Sequence, residues 1–326
     1  MSEVLDVKKL FFSIEKKRIL KDISIACNYH ETLAILGQSG SGKSTLLKLI
    51  AGLLEPDKGS LTIEGQNIDP PSEKLIPGHP KIKIVKQDNP LFPNISLREN
   101  IEYELRFYES EYRDYRVNKL LKLTRLKEVA DQLPRHSSEG EQQRTAIARA
   151  IAEEPALLLL DEPFSNLDHM NKARMKDAVS EIVREENMAC IFVTHEVSDV
   201  FGMADRLAVL KSGKIIQMGG PIEVYKEPVS EYVASLTGEY TILSADEFKL
   251  VFGIKSKKKH VLIRPEHLKI SPETGEDCEL IEQINKGFYN ALTLKAKGVK
   301  LKTISIQPLN TDAKIKLELL GYHPID

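Results

Sequence analysis

The chain has no tryptophan, only three cysteines and few aromatic residues, 6% of its 326 positions. Cys27, Cys190 and Cys278 lie far apart and form no C-x-x-C pair, which argues against a metal or redox motif and fits thiols kept in a reducing compartment. Long apolar runs are missing: none approaches the roughly 20 residues that a membrane helix needs. The segment from Met1 to Lys9 has no basic stretch leading into an apolar core, so no signal peptide is expected. Neither sign of charge dominates, because 46 Lys and Arg stand against 48 Asp and Glu for a formal net charge of −2. That balance gives no electrostatic case for a nucleic-acid partner. What is present is the mixture of an ordinary soluble globular protein, 41% hydrophobic and 29% charged, at a length that favours two domains.

Two motifs carry chemistry. Gly37-Gln38-Ser39-Gly40-Ser41-Gly42-Lys43-Ser44-Thr45 fits G-x-x-x-x-G-K-S/T, in which small residues let backbone N–H groups close around phosphate oxygens. Lys43 would add a cation at the β/γ-phosphates, and the Ser44 hydroxyl would ligate Mg²⁺. Much later, the apolar run Leu157–Leu160 ends in Asp161 and Glu162, as expected where a buried strand delivers acids to the same metal and to an attacking water. Together they point to binding and hydrolysis of ATP, with Glu162 as general base. A bare strand-end carboxylate solvated by water is the plainer alternative.

The local pattern supplies the context these motifs require. Alternation over Val4–Phe12 and Ile19–Asn28 predicts a small antiparallel sheet. Thr32–Leu36 reads as a short strand running into the glycine-rich loop, and Lys43–Leu53 as a helix whose N-terminus points at the anion. Ile82–Val85 is a further short strand. From Ser96 to Leu133 the pattern is helical and polar, with Tyr103, Leu105, Tyr108, Leu120, Leu121, Leu123 and Leu126 as expected buried positions. Glu141–Glu154 reads as a helix stopped by Pro155, Ala156–Leu160 as a strand buried on both faces, Lys172–Glu186 as a helix, and Ile191–Val193 as a neighbouring strand. Arg206–Leu210 and Ile215–Met218 form a closing hairpin. After Pro221 the texture changes: Ile222–Gly238 reads as a short helical connector, and Lys249–Ile254, Val261–Ile263, Ala291–Lys297 and Leu301–Ile306 as strands. A boundary between Thr237 and Tyr240 divides the chain into residues 1–238 and 239–326. No internal repeat or low-complexity segment is evident.

The order of these elements resembles an ABC transporter ATPase subunit, from about Leu10 to Gly220. Gln87 sits where that family places a glutamine that contacts Mg²⁺ and reports to the membrane partner; Ser165-Asn166-Leu167-Asp168 resembles the D-loop, and Thr194-His195 the switch histidine. The resemblance implies an α/β P-loop NTPase core of ABC ATPase type, with a mixed sheet, a helical subdomain and an antiparallel β subdomain. Phe12 is then the candidate to stack on adenine, with Phe11 as competitor. It also implies a homodimer around two ATP, ATP hydrolysis assisted by Lys43, Glu162 and His195, Mg²⁺ held by Ser44, Gln87 and Asp161, and separate permease subunits. An extracytoplasmic substrate-binding protein and a peripheral position on the cytoplasmic face of the membrane follow from the same resemblance.

The family's signature normally reads L-S-G-G-Q, whereas the aligned residues here are Ser137-Ser138-Glu139-Gly140-Glu141. In the family this segment caps the nucleotide held by the other subunit, so two new carboxylates matter. Either Glu139 and Glu141 turn away and only tune the rate, or the site is weakened and the chain is an ATP-dependent clamp or regulatory subunit with little hydrolysis. A soluble ABC ATPase of DNA repair or translation is a third reading, opposed by the single phosphate loop and the lack of a large coiled insertion. In the C-terminal part, Arg264-Pro265-Glu266 resembles the corresponding element of the TOBE-like accessory domain of import-type subunits, which implies a small all-β domain there. The run from Lys255 to Lys259 reads as a solvated loop.

Overall fold

Residues 2–86, 90–165, 167–310 and 315–326 are described by this computed structural model. They fall into two compact units, residues 1–221 and 222–326. The helical connector therefore groups with the C-terminal unit, whereas the sequence pattern alone placed it with the first.

In the first unit, Glu3–Ile14 (β1) and Lys17–Asn28 (β2) pair antiparallel. Lys58–Ile63 (β4) and Gln66–Asn67 (β5) extend that sheet in the order β2-β1-β4-β5, which follows Thr32–Leu36 (β3) and the helix Lys43–Ile50 (α1) in sequence. The second sheet takes β3 into its middle. With Ile82–Val85 (β6), Leu157–Asp161 (β7), Ala189–Thr194 (β8), Arg206–Lys211 (β9) and Lys214–Gly219 (β10), its order is β10-β9-β3-β8-β7-β6. Only the β9–β10 pair is antiparallel; β6, β7, β8, β3 and β9 run parallel. Strands buried on both faces read as unbroken apolar runs, which is why Leu157–Leu160 shows no alternation. One apolar core joins α1, the antiparallel sheet and the face of the parallel sheet carrying Leu33, Ile35, Leu157, Leu159 and Ile191.

The helices Leu97–Glu102 (α2), Ser110–Leu123 (α3) and Glu139–Ala150 (α4) interrupt this plan between β6 and β7, and His169–Glu185 (α5) connects β7 to β8. The α4 helix starts two residues before the expected Glu141, because Ser138 caps it, and stops at Ala150, before Pro155 can act. Leu105, Leu120, Leu121, Leu123 and Leu126 are buried as expected, but Tyr103 and Tyr108 are 43% and 44% exposed. Their rings are used on the surface, Tyr103 under Arg106 and beside Phe92, Tyr108 beside Tyr112. In place of those aromatics, a buried guanidinium ties the helical subdomain down. Arg116 donates to the carbonyls of Ile151 and Ala152 and stands 2.6 Å from the buried Glu186 carboxylate at the end of α5. Among the described residues no helix is long and apolar enough to cross a membrane.

The second unit begins one residue into Pro221–Lys226 (α6) and continues with Glu231–Thr237 (α7), Thr241–Ser244 (β11), Ala245–Phe252 (α8) and His260–Ile263 (β12). Leu268–Ser271 (β13), Glu276–Asn285 (β14), Asn290–Ala296 (β15), Val299–Ser305 (β16), Ile315–Leu319 (β17) and His323–Ile325 (β18) complete it. They form two antiparallel sheets, β11-β12-β18 and β13-β17-β14-β15-β16. The expected strand Lys249–Ile254 is instead the end of α8. A capping box between Ser244 and Glu247 starts that helix, Phe248 and Val251 bury its inner face, and Gly253 ends it in the left-handed region. Arg264 explains why the connector belongs to this unit. Fully buried, it donates to the carbonyls of Tyr225, Ala234 and Glu239 and to the Thr237 hydroxyl.

Candidate functional site

Parallel strands deliver the functional residues to one place. Leu36 pairs with Thr194, and Asp161 with Val193, so the loop after β3, the end of β7 and the end of β8 leave the sheet at the same carboxyl edge. Ligands of open α/β sheets bind at such an edge. Backbone bonds fasten the three segments to one another: Gly37 N donates to Thr194 O at 3.3 Å, and Glu162 N to Val193 O at 3.2 Å.

The loop Gly37–Gly42 turns into α1 through Gly42, whose φ of 109° only glycine adopts without strain. Lys43 is buried and folds back over the loop, its Nζ donating to Gly37 O at 2.8 Å and Gln38 O at 3.3 Å. Burial pushes its ammonium below the ordinary lysine range, against the pull of Glu162 and Asp161. The Ser41 hydroxyl is buried here without a hydrogen-bond partner. A cation and a spare hydroxyl beside the α1 N-terminus are what a phosphate chain would satisfy. Ser39 and Gly40 lie in the same turn, and Thr45 is in the first turn of α1.

The loop is propped from an unexpected quarter. Gly213, in the turn between β9 and β10, donates its N–H to Ser41 O at 3.0 Å and accepts from Lys21 N at 2.8 Å. Its φ is +79°, and a Cβ there would lie 1.9 Å from Ile19 O.

On the facing side, Ser44 Oγ donates to Asp161 Oδ1 at 2.9 Å. Burial pushes the Asp161 carboxyl up, while the Ser44 hydroxyl pulls it down. Two hard oxygen donors in contact suit Mg²⁺, which takes few protein ligands and completes its shell with phosphates and water. No group of three or more His, Cys, Asp or Glu residues that could hold a metal occurs among the described residues, so an all-protein cage is not offered. Gln87, the third expected metal contact, lies outside the described residues.

Glu162 stands between two partners. Lys43 Nζ is 3.8 Å from Oε1, and His195 Nδ1 is 3.2 Å from Oε2. Its φ of +50° is sparsely populated for a residue with a Cβ and costs about 1–3 kcal/mol. Such strain persists where the surroundings fix it, and here it turns the carboxylate into the cluster.

Other expected residues are placed as follows. Phe12 is 8% exposed and part of the apolar core, so it has no face left for adenine; Phe11 is half-buried, with Arg18 above its ring. Ser138 is the N-cap of α4 and forms a capping box with Glu141, while Glu139 is exposed. Gly140 packs on Asn171, whose side chain a Cβ would meet at 3.3 Å. Asp168 caps α5, accepting from Asn171 N at 2.9 Å and Asn171 Nδ2 at 2.7 Å, and these bonds hold its carboxyl below the ordinary range. The helices α4 and α5 thus meet at Gly140 and Asn171. Asn166 lies outside the described residues.

Sequence reasoning overlooked Gly213, Asn171, Lys172 and Asp199. Lys172 follows Asp168 by one helical turn, and Asp199 follows Thr194 by five residues; these spacings were the available signal.

Comparison with known proteins fits this geometry. The family model described as ABC transporter matches residues 20–165. The Fe(3+) ions import ATP-binding protein FbpC of Yersinia enterocolitica is 33% identical over 97% of either chain. The spermidine/putrescine import ATP-binding protein PotA of Nitratidesulfovibrio vulgaris is 36% identical over 89% of this chain and 85% of its own. Among solved structures, CbiO1 from Clostridium perfringens, part of the ABC transporter complex CbiONQ, aligns with a TM-score of 0.65 at 28% identity, covering 77% of this chain and 96% of that one. The dimeric ATP-binding cassette MJ0796 bound to ADP and Pi aligns with a TM-score of 0.57 at 28% identity, covering 66% and 98%.

Proposed function

Because the chain belongs to the ATP-binding subunits of import-type ABC transporters, ATPases that dimerise and drive permease subunits, we propose that the cluster at the sheet edge is its hydrolytic site and Glu162 its general base. The observation that carries this reading is the double approach to Glu162, by Lys43 on one oxygen and His195 on the other. Lys43 leaves the Gly37 and Gln38 carbonyls to meet the β/γ-phosphates, joined by the loop amides from Gly37 to Thr45. Ser44 and Asp161, with Gln87 as the family resemblance implies, would hold Mg²⁺, which would supply charge neutralisation at the phosphates. Glu162 orients the attacking water and takes its proton, and His195 stands on the γ-phosphate side of that carboxylate. Phe11, the more exposed of the two neighbouring rings, stacks on adenine.

Ser138, Glu139, Gly140 and Glu141 face the nucleotide of the second subunit, and Asp168 lies beside them through Asn171. The weakly hydrolysing clamp is not favoured, because Glu141 spends its carboxylate capping its own helix. Residues 239–326 serve as a TOBE-like accessory domain. The relatives named for ferric ions and for polyamines support a further partner, an extracytoplasmic binding protein that selects the cargo, with this subunit on the cytoplasmic face of the membrane.

The test is equilibrium binding of ATP with Mg²⁺ to the purified chain and to Lys43→Ala. Loss of a charge-assisted contact worth about 1.5–3 kcal/mol weakens binding about tenfold or more. Equal affinity of the two proteins would remove the phosphate site from this loop.

A further inference from the structure

The segment that presents His195 is held by a charge network that belongs to another element. Lys172, in the first turns of α5, places its Nζ 2.7 Å from Glu196 Oε2 and 2.9 Å from Asp199 Oδ1. Asp199 is buried, and its second oxygen accepts from Thr194 Oγ1 at 2.7 Å. The same Thr194 hydroxyl accepts from Glu196 N at 3.0 Å. His195, itself exposed, is therefore flanked by two residues that reach one lysine, Thr194 through the Asp199 carboxylate and Glu196 through its own. Lys176, a turn further along α5, donates to Ser198 O and stands 3.9 Å from Asp199, closing the network on its far side.

The other end of Lys172 leads to the D-loop. Its backbone N–H donates to Asp168 O at 2.8 Å, one turn from the side chain that caps α5. Thr194 in turn gives its carbonyl to Gly37 N, the first residue of the phosphate loop. A continuous set of bonds thus runs from Asp168 through Lys172, Asp199 and Thr194 to both His195 and Gly37.

We infer that Lys172, clamped between Glu196 and Asp199, is a positioning residue that sets His195 against Glu162 and ties that placement to the D-loop. Lys172 touches neither nucleotide nor water. It acts by fixing where the imidazole stands, and a misplacement of about 1 Å in such a site costs up to about a hundredfold in rate. The inference rests on the assignment of Glu162 and His195 to hydrolysis. It adds that the D-loop, which the family resemblance directs at the second subunit, shares a rigid support with the histidine of its own subunit.

Steady-state ATP hydrolysis by the full chain with Mg²⁺, alongside ATP affinity and the urea unfolding midpoint, tests this. Lys172→Met is expected to lower kcat about tenfold or more while KM and ATP affinity stay within about twofold, since phosphate contacts are untouched. Lys172→Arg restores most of the loss, because a guanidinium also reaches both carboxylates. Asp199→Asn gives a loss like that of Lys172→Met, and the double variant is no worse than the weaker single one, as for residues that act as one unit. Parental kcat in Lys172→Met overturns the inference, as does a kcat loss that arginine leaves unrestored or one that adds fully in the double variant. A parallel Glu162→Gln control separates the two levels: full activity there defeats the assignment of the site itself, whereas an inactive Glu162→Gln beside a fully active Lys172→Met defeats only the role of Lys172.

Discussion

Ser138 and Glu141 cap one another: Ser138 N donates to Glu141 Oε2 at 2.8 Å, and Glu141 N donates to Ser138 Oγ at 3.3 Å. An acid where the family has glutamine thus works as the N3 residue of a capping box and satisfies a donor of its own helix. Glu141→Gln keeps an accepting oxygen and is expected to leave hydrolysis within about twofold. Glu141→Ala lowers stability by about 1 kcal/mol, read from the urea midpoint. If Glu141→Gln instead raised turnover many-fold, the carboxylate would be repelling nucleotide and the capping role would be incidental.

Glu162→Gln retains the size of the side chain and removes the base. It is expected to lower kcat by about two to four orders of magnitude with nearly unchanged ATP affinity, leaving ATP-bound dimers that light scattering detects. Parental turnover in this variant would place the base elsewhere.

The neighbouring rings Phe11 and Phe12 should separate cleanly. Phe12→Ala opens a cavity in the main core and costs about 3–5 kcal/mol of stability, measurable by urea unfolding. Phe11→Ala removes a half-buried ring, so ATP affinity falls while the unfolding midpoint moves little. A reversed pattern would return the stacking role to Phe12.

Arg264→Met removes the guanidinium's bonds to the carbonyls of Tyr225, Ala234 and Glu239. Loss of several bonds from one buried guanidinium is expected to cost about 3–5 kcal/mol and to raise amide exchange in α6 and α7 above that in β14 and β15. Uniform exchange across the unit would show that the arginine does not hold the connector.

The motif residues were legible because phosphate chemistry constrains type and spacing together: Gly37 to Thr45, Asp161 and His195 arrive at one sheet edge as expected. So were strands β3 and β6, whose limits the apolar runs gave residue for residue. Legibility failed where two forces compete locally. The residues from Lys249 to Phe252 have strand-like composition, yet the capping box of Ser244 and Glu247 just before them commits them to a helix. Phe11 and Phe12 are adjacent on a strand with register shifts, so alternation alone could not say which ring faces the core. Lys172 and Asp199 carry no motif of their own, and their spacings from Asp168 and Thr194 do not reveal that the two side chains pair across distant elements.

The turn at Gly213 gives the nucleotide loop a second address in the chain. A methyl group there has nowhere to go but against the Ile19 carbonyl, and the recoil reaches Ser41 through a single backbone bond. An inherited change at this inconspicuous buried bend would therefore present as a defect in handling ATP, and screening confined to the motif residues would miss its origin.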